Sequence, residues 1–76
     1  MQLEIITPDK KLFEGEASGV NLPGVDGSFK ILNRHAHMVA SLKEGIVKVD
    51  TAEGVKQFPI NGGIVVCGDN EVVVLA

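Results

Sequence analysis

The sequence predicts an all-β fold, a small β-sandwich of about ten short strands in two sheets, from three observations. β-branched residues are abundant: 11 Val, 6 Ile and 2 Thr make up 19 of the 76 residues, and branching at Cβ suits a pleated backbone better than a helix. Nine Gly and three Pro punctuate them, so turn signals recur about every 8 to 12 residues. Between those signals apolar and polar residues alternate with a period of two, the mark of a strand with one face inward.

Leu3, Ile5 and Thr7 alternate with Gln2, Glu4 and Ile6, so residues 2–7 form a first strand. Pro8 and Asp9 close it, because proline presets φ and aspartate bonds its own backbone. Residues 11–14 and 18–22 read as two short strands with a bend or bulge at Gly15, and Pro23 with Gly24 ends the second. Val25, Asp26 and Gly27 then form a tight turn in which Gly27 supplies positive φ. Residues 28–32 continue as a strand with Phe29 and Ile31 on one face.

Residues 28–44 hold no Gly or Pro, and Phe29, Leu32, Ala36 and Val39 also fall at helical spacing. The alternation of Phe29 and Ile31 with Ser28 and Lys30, and the turn former Asn33, favour two strands around a loop at residues 33–37. Gly45 opens a strand over residues 46–50 with Val47 and Val49 inward. Residues 51–54 turn the chain into a partner strand, 55–60, on which Phe58 and Ile60 share a face. Asn61, Gly62 and Gly63 make a flexible corner before residues 64–67, and residues 68–70 connect to a last strand over 71–76. Val72 and Val74 stand opposite Val73 and Leu75 there, and such runs, apolar on both faces, read as strands buried twice. Ile5 and Val74 are assigned to the interior.

A chain of 76 residues makes a single domain over residues 1–76, expected to unfold cooperatively as a monomer with a total stability of about 4 to 11 kcal/mol. Seven Lys and Arg against ten Asp and Glu leave a net charge of −3 and a pI near 5.2. That balance argues against nucleic acid, which requires a basic surface. Three Phe with no Trp or Tyr also provide no base-stacking platform. A single cysteine, no signal-peptide pattern and no apolar run of about 18 residues lead to the expectation of an intracellular, soluble chain.

Chemistry-bearing residues are few. His35 and His37 lie two apart and would share a face on a strand, but zinc takes three or four ligands, so the pair reads as exposed loop histidines. Cys67 follows Ile64, Val65 and Val66 and reads as a small buried hydrophobe, not as a low-pKa nucleophile. Gly62 and Gly63 open no helix and lack the Lys and Ser/Thr of a phosphate-binding loop. Lys10 and Lys11 invite comparison with lipoyl and biotinyl carriers, yet the mid-chain turn at residues 25–28 carries no lysine. A carrier domain or a metal-dependent enzyme domain built on Lys10 or on His35 and His37 is the alternative. The residues favour a binding module with no cofactor, metal or catalytic group.

Longer motifs carry a resemblance. Leu3-Glu4-Ile5-Ile6-Thr7-Pro8-Asp9-Lys10 followed by Leu12-Phe13-Glu14-Gly15-Glu16, then Leu22-Pro23-Gly24, Gly27-Ser28-Phe29, Ile31-Leu32 and His35-Ala36, resemble in order and spacing the epsilon subunit family of the rotary proton-translocating ATP synthase. Asn61-Gly62-Gly63-Ile64-Val65 and Val72-Val73-Val74-Leu75-Ala76 are similar to its closing corner and last strand. The resemblance implies a ten-stranded β-sandwich at the foot of the central stalk. There it would contact the gamma subunit and the polar loops of the membrane c-ring, couple proton flow to ATP synthesis without being a catalyst, and lie peripherally on the cytoplasmic face of the bacterial inner membrane. It places Gly27 and Ser28 in the c-ring contact loop, and Arg34, His35, Ala36 and His37 in the segment facing gamma and the ring. The segment departs from the family pattern: His37 stands after His35-Ala36 where proline is usual, and Arg34 precedes His35, so the loop's stiffness and charge differ. The chain also ends where many members continue as a two-helix hairpin that restrains ATP hydrolysis, so neither that brake nor ATP binding is expected of it.

Overall fold

Period-two alternation becomes seven paired strands: β1 (Gln2–Ile6), β2 (Lys11–Glu16), β3 (Gly19–Gly24), β4 (Gly27–Leu32), β5 (Met38–Thr51), β6 (Gly54–Cys67) and β7 (Glu71–Leu75). The computed structural model describes residues 1–33 and 36–76. Hydrogen bonding orders the strands β2-β1-β7-β6-β5-β3-β4. The all-β class holds, with seven strands in one hydrogen-bonded sheet among the described residues in place of about ten in two.

The difference lies in β5 and β6, which each run for 14 residues. At about 3.3 Å per residue, such strands would reach roughly 45 Å if straight, but the longest dimension of the molecule is 25 Å. They therefore bend back together. Leu42 pairs with Gly63 and Glu44 with Asn61, so the ladder skips a step between them, and Gly62 and Gly63 take φ of 124° and 132° at that place. The predicted corner at Asn61-Gly62-Gly63 is a bend inside a continuous strand, and the predicted strand start at Gly45 falls within β5, where Gly45 pairs with Ile60. Likewise Pro23 and Gly24 stay within β3, and Gly15 pairs with Leu3 inside β2 while the irregularity falls between Ile5 and Ile6. Thr7 leaves the first strand to form a turn in which its Oγ1 accepts the Lys10 N–H at 3.1 Å.

The shared bend turns one ladder into two layers. One contains β2, β1, β7 and the ends of β6 and β5 nearest Cys67 and Met38; the other contains β4, β3 and the remaining halves of β5 and β6. β1 lies parallel to β7, with Leu3 beside Val72 and Ile5 beside Val74. Leu3, Ile5, Val65, Cys67, Val72 and Val74 from the first layer form one buried cluster with Val20, Leu22, Ile31, Val47, Val49 and Ile60 from the second. Phe13 of β2 meets Phe58 of β6 at a centroid distance of 5.7 Å, joining the layers at their rim. Charged Lys11, Glu14 and Glu16 line the edge strand β2, which discourages further pairing there.

The outward faces of the last strands are less covered than their composition implies. Val66 and Leu75 are 41% and 44% exposed, so these strands are buried on one side and apolar on both. At the start of the chain, the buried Met1 ammonium donates to Glu16 Oε2 at 2.6 Å, Ala17 O at 2.8 Å and Asn33 Oδ1 at 2.5 Å. Those bonds pin the end of β2 and the beginning of the loop after β4 to one point.

Candidate functional site

The β3–β4 hairpin presents Gly27 and Ser28. Gly24 faces Gly27 across it, and a Cβ on Gly24 would lie 2.6 Å from the Gly27 carbonyl oxygen and 2.7 Å from the Phe29 ring. Only glycine lets the strands close so tightly there. Gly27 takes φ of 127° with open space on its side-chain side, so backbone conformation alone demands it. Ser28 is exposed and stands opposite Pro23. The Val25 N–H donates to Ser41 O at 3.0 Å, which ties the turn to β5.

Between this turn and β5 lies an open cleft of about 450 Å³, lined by Val25, Gly27 and Phe29 on one side and by Met38, Val39 and Ser41 on the other. Val25 and Val39 are 56% and 64% exposed and give it an apolar rim. The second candidate segment leads into the same cleft, since His37 directly precedes Met38. Ala36 and His37 lie exposed outside the strands, and the His37 Nε2 is 2.6 Å from Asp69 Oδ1. Arg34 and His35 fall outside the described residues. Sequence reasoning missed Val25, Val39 and Asp69. An apolar residue between Gly24 and Asp26, where turns favour polar ones, was the available signal for Val25.

Lys11 and Cys67 are held in unreactive settings. Lys11 Nζ lies 2.9 Å from Glu14 and 3.1 Å from Glu4. The hydrogen bonds it donates to Glu14, then to Glu4, raise its pKa above the ordinary 10.5, which keeps it an ammonium ion and not a nucleophilic amine. Lys10 sits exposed in the β1–β2 turn, with its backbone bonded to Thr7. Among the described residues, no three His, Cys, Asp or Glu side chains converge as a metal-ligand set.

Cys67 is 4% exposed, and burial pushes its thiol above the ordinary 9.0 by disfavouring the thiolate. A raised folded-state pKa means that folding favours the protonated thiol. Its contribution is therefore full at neutral pH and is lost as pH rises past 9.0 toward the folded value. Reaction of Cys67 with a chromogenic disulfide at pH 7 should accordingly be at least about a hundredfold slower in the folded chain than in denaturant, the gap expected when labelling waits on opening. Equal rates would mean that the thiol is not buried.

Comparison with known proteins places the chain. A family model described as ATP synthase, Delta/Epsilon chain, beta-sandwich domain, matches residues 1–76. The ATP synthase epsilon chain of a Nitratiruptor species is 34% identical over 76 residues, covering 99% of this chain and 59% of that one. That of Leptospira interrogans serogroup Icterohaemorrhagiae serovar copenhageni is 36% identical over 75 residues, with the same shares of 99% and 59%. The shorter epsilon chain of Chlorobium limicola is 37% identical over 75 residues, with 97% of this chain covering 85% of it. This chain thus spans about three-fifths of the length of the first two relatives. In fold it is similar to a chain in the Tetrahymena thermophila mitochondrial ATP synthase central stalk and c-ring structure, at a TM-score of 0.80 and 20% identity over 97% of this chain and 60% of that one. A chain in the Euglena gracilis mitochondrial ATP synthase structure (OSCP/F1/c-ring) gives 0.89 at 23% identity, over 97% of this chain and 48% of that one. Matched by the family model along its whole length, and more than a third identical to an epsilon chain that it nearly spans, the chain belongs to the family of the ATP synthase delta/epsilon β-sandwich domain.

Proposed function

We propose that this chain is a rotor part of a proton-translocating ATP synthase: a non-catalytic, central-stalk β-sandwich that links the gamma subunit to the c-ring and couples proton flow to ATP synthesis. The match of residues 1–76 to the delta/epsilon domain carries this reading. In it the 76 residues act as one folding unit, peripheral on the cytoplasmic face of the bacterial inner membrane. Gly27 and Ser28 at the hairpin tip meet the polar loops of the ring, and Arg34, His35, Ala36 and His37 face gamma and the ring.

The cleft supports this assignment. A coupling part must be gripped by its neighbours without reorganising, and the hairpin that bears Ser28 is tied to β5 by the Val25–Ser41 bond beside an apolar rim. The chain should copurify with the gamma subunit from the same source. Replacing Ser28 by Trp at the exposed tip should weaken assembly with the c-ring by about tenfold, the usual cost of disturbing a central contact, while melting stays unchanged. Absence of any association with gamma or with reconstituted ring would overturn the reading.

A further inference from the structure

We propose that Asp69, in the turn between β6 and β7, is a positioning residue for Ala36 and His37, the described part of the proposed contact segment: it holds His37 where the chain enters β5. This rests on the reading that the segment meets the gamma subunit. Asn33, which follows β4, is held by its own bond, its Oδ1 accepting from the Met1 ammonium at 2.5 Å. Where the chain enters β5, the anchor among the described residues is a side chain. Ala36 and His37 make no backbone hydrogen bond to another described residue, whereas His37 Nε2 lies 2.6 Å from Asp69 Oδ1.

The geometry suits a tether. Met38 pairs with Cys67 as the last rung of the β5–β6 ladder, so His37 and Asp69 add one side-chain rung just beyond it. The turn that carries Asp69 is itself fixed. Gly68 N–H donates to Glu71 O at 2.8 Å, Asn70 turns the chain with φ of 54°, and Gln2 N–H donates to Asn70 O at 3.0 Å, locking the turn to β1. Asp69 is therefore a held point against which a loop is steadied. Both partners are solvent-exposed, 68% for His37 and 97% for Asp69, so the pair adds little to folding. Its effect falls on the segment, whose ordering before contact lowers the entropy lost on binding.

A backbone restraint at residue 37 should make the tether dispensable. Proline supplies one by locking φ near −65°, and His37 is not among the positive-φ residues. The test is a double-mutant cycle on the 76-residue chain with Asp69→Asn, His37→Pro and both together, titrated calorimetrically with purified gamma subunit. Amide relaxation at Ala36 and thermal melting are measured alongside. Asp69→Asn is expected to loosen Ala36, leave melting unchanged and weaken gamma binding about three- to fivefold, the scale of one exposed charge-assisted pair. In the His37→Pro background the same substitution should change neither binding nor Ala36 order. Equal losses in both backgrounds, or none in either, would overturn the tether. If the unaltered chain fails to bind gamma at all, the functional reading falls and the partner role of Asp69 with it; intact binding that ignores Asp69→Asn removes only the latter.

Discussion

Gly63→Ala should be among the most damaging single substitutions in this chain, with an expected loss of about 2 to 6 kcal/mol. Two independent effects meet at the residue. Its φ of 132° lies in a region that side chains rarely enter, and a Cβ there would collide with the Leu75 carbonyl oxygen and sit 2.8 Å from the Ala76 Cα. The first contributes about 1 to 3 kcal/mol of backbone strain. The second forces β7 away from β6, an overpacking cost of about 1 to 3 kcal/mol. A matched series separates the two. Gly27 has φ of 127° and open space around it, so Gly27→Ala should show the strain alone, while Gly68, with open space and no positive φ, should tolerate alanine within about 0.5 kcal/mol. The expected order of denaturation midpoints is Gly68→Ala above Gly27→Ala above Gly63→Ala. Equal midpoints for Gly27→Ala and Gly63→Ala would show that β7 does not close against the bend.

Why the sequence marked this bend but misread it follows from what a local signal contains. Asn61-Gly62-Gly63 announces unusual backbone angles, and Gly62 and Gly63 have them. Whether such angles end a strand or fold it over depends on what lies opposite, and the partner is the stretch around Leu42 and Glu44, some twenty residues earlier. The alternation that put Ile5, Val47, Val49 and Val74 inward was fully legible, and all four are 0% exposed. The ends of the flanking strands were legible as well, for Leu32 ends β4 and Met38 begins β5, while Arg34 and His35 of the expected loop lie outside the described residues. Apolar composition could not reveal which face of β7 has a neighbour, so Leu75 was expected inside and lies 44% exposed. The turn at Gly27 was legible from its chemistry, for Gly27 has the positive φ that such a turn needs. Asp69 was not, because nothing in Gly68-Asp69-Asn70 indicates that a histidine 32 residues earlier comes within 2.6 Å.

Folding and partner contact should separate cleanly between the interior and the hairpin tip. Ile5 is completely buried in β1, flanked by Phe13 of β2 and Val74 of β7 in register. β1 is paired on both sides, with β2 and with β7, so a cavity there has little room to collapse. Ile5→Ala should cost about 2 to 5 kcal/mol, a large share of a total near 4 to 11 kcal/mol. For a domain of this size each kcal/mol lowers the melting temperature by about 4 to 8 °C, so the domain should melt at least about 10 °C lower. Ser28→Trp acts at an exposed position opposite Pro23 and should shift stability by no more than about 0.5 kcal/mol. Melting and gamma or ring binding measured on the same two variants decide the matter. Ile5→Ala should lose binding only in proportion to the fraction unfolded and regain it on cooling, because a cavity in the core leaves the tip's shape intact once the sandwich forms. Ser28→Trp should lose ring binding at every temperature at which the chain is folded. If Ser28→Trp instead melts like Ile5→Ala, the hairpin tip is part of the core's support, and the contact surface has to be sought elsewhere on the sandwich.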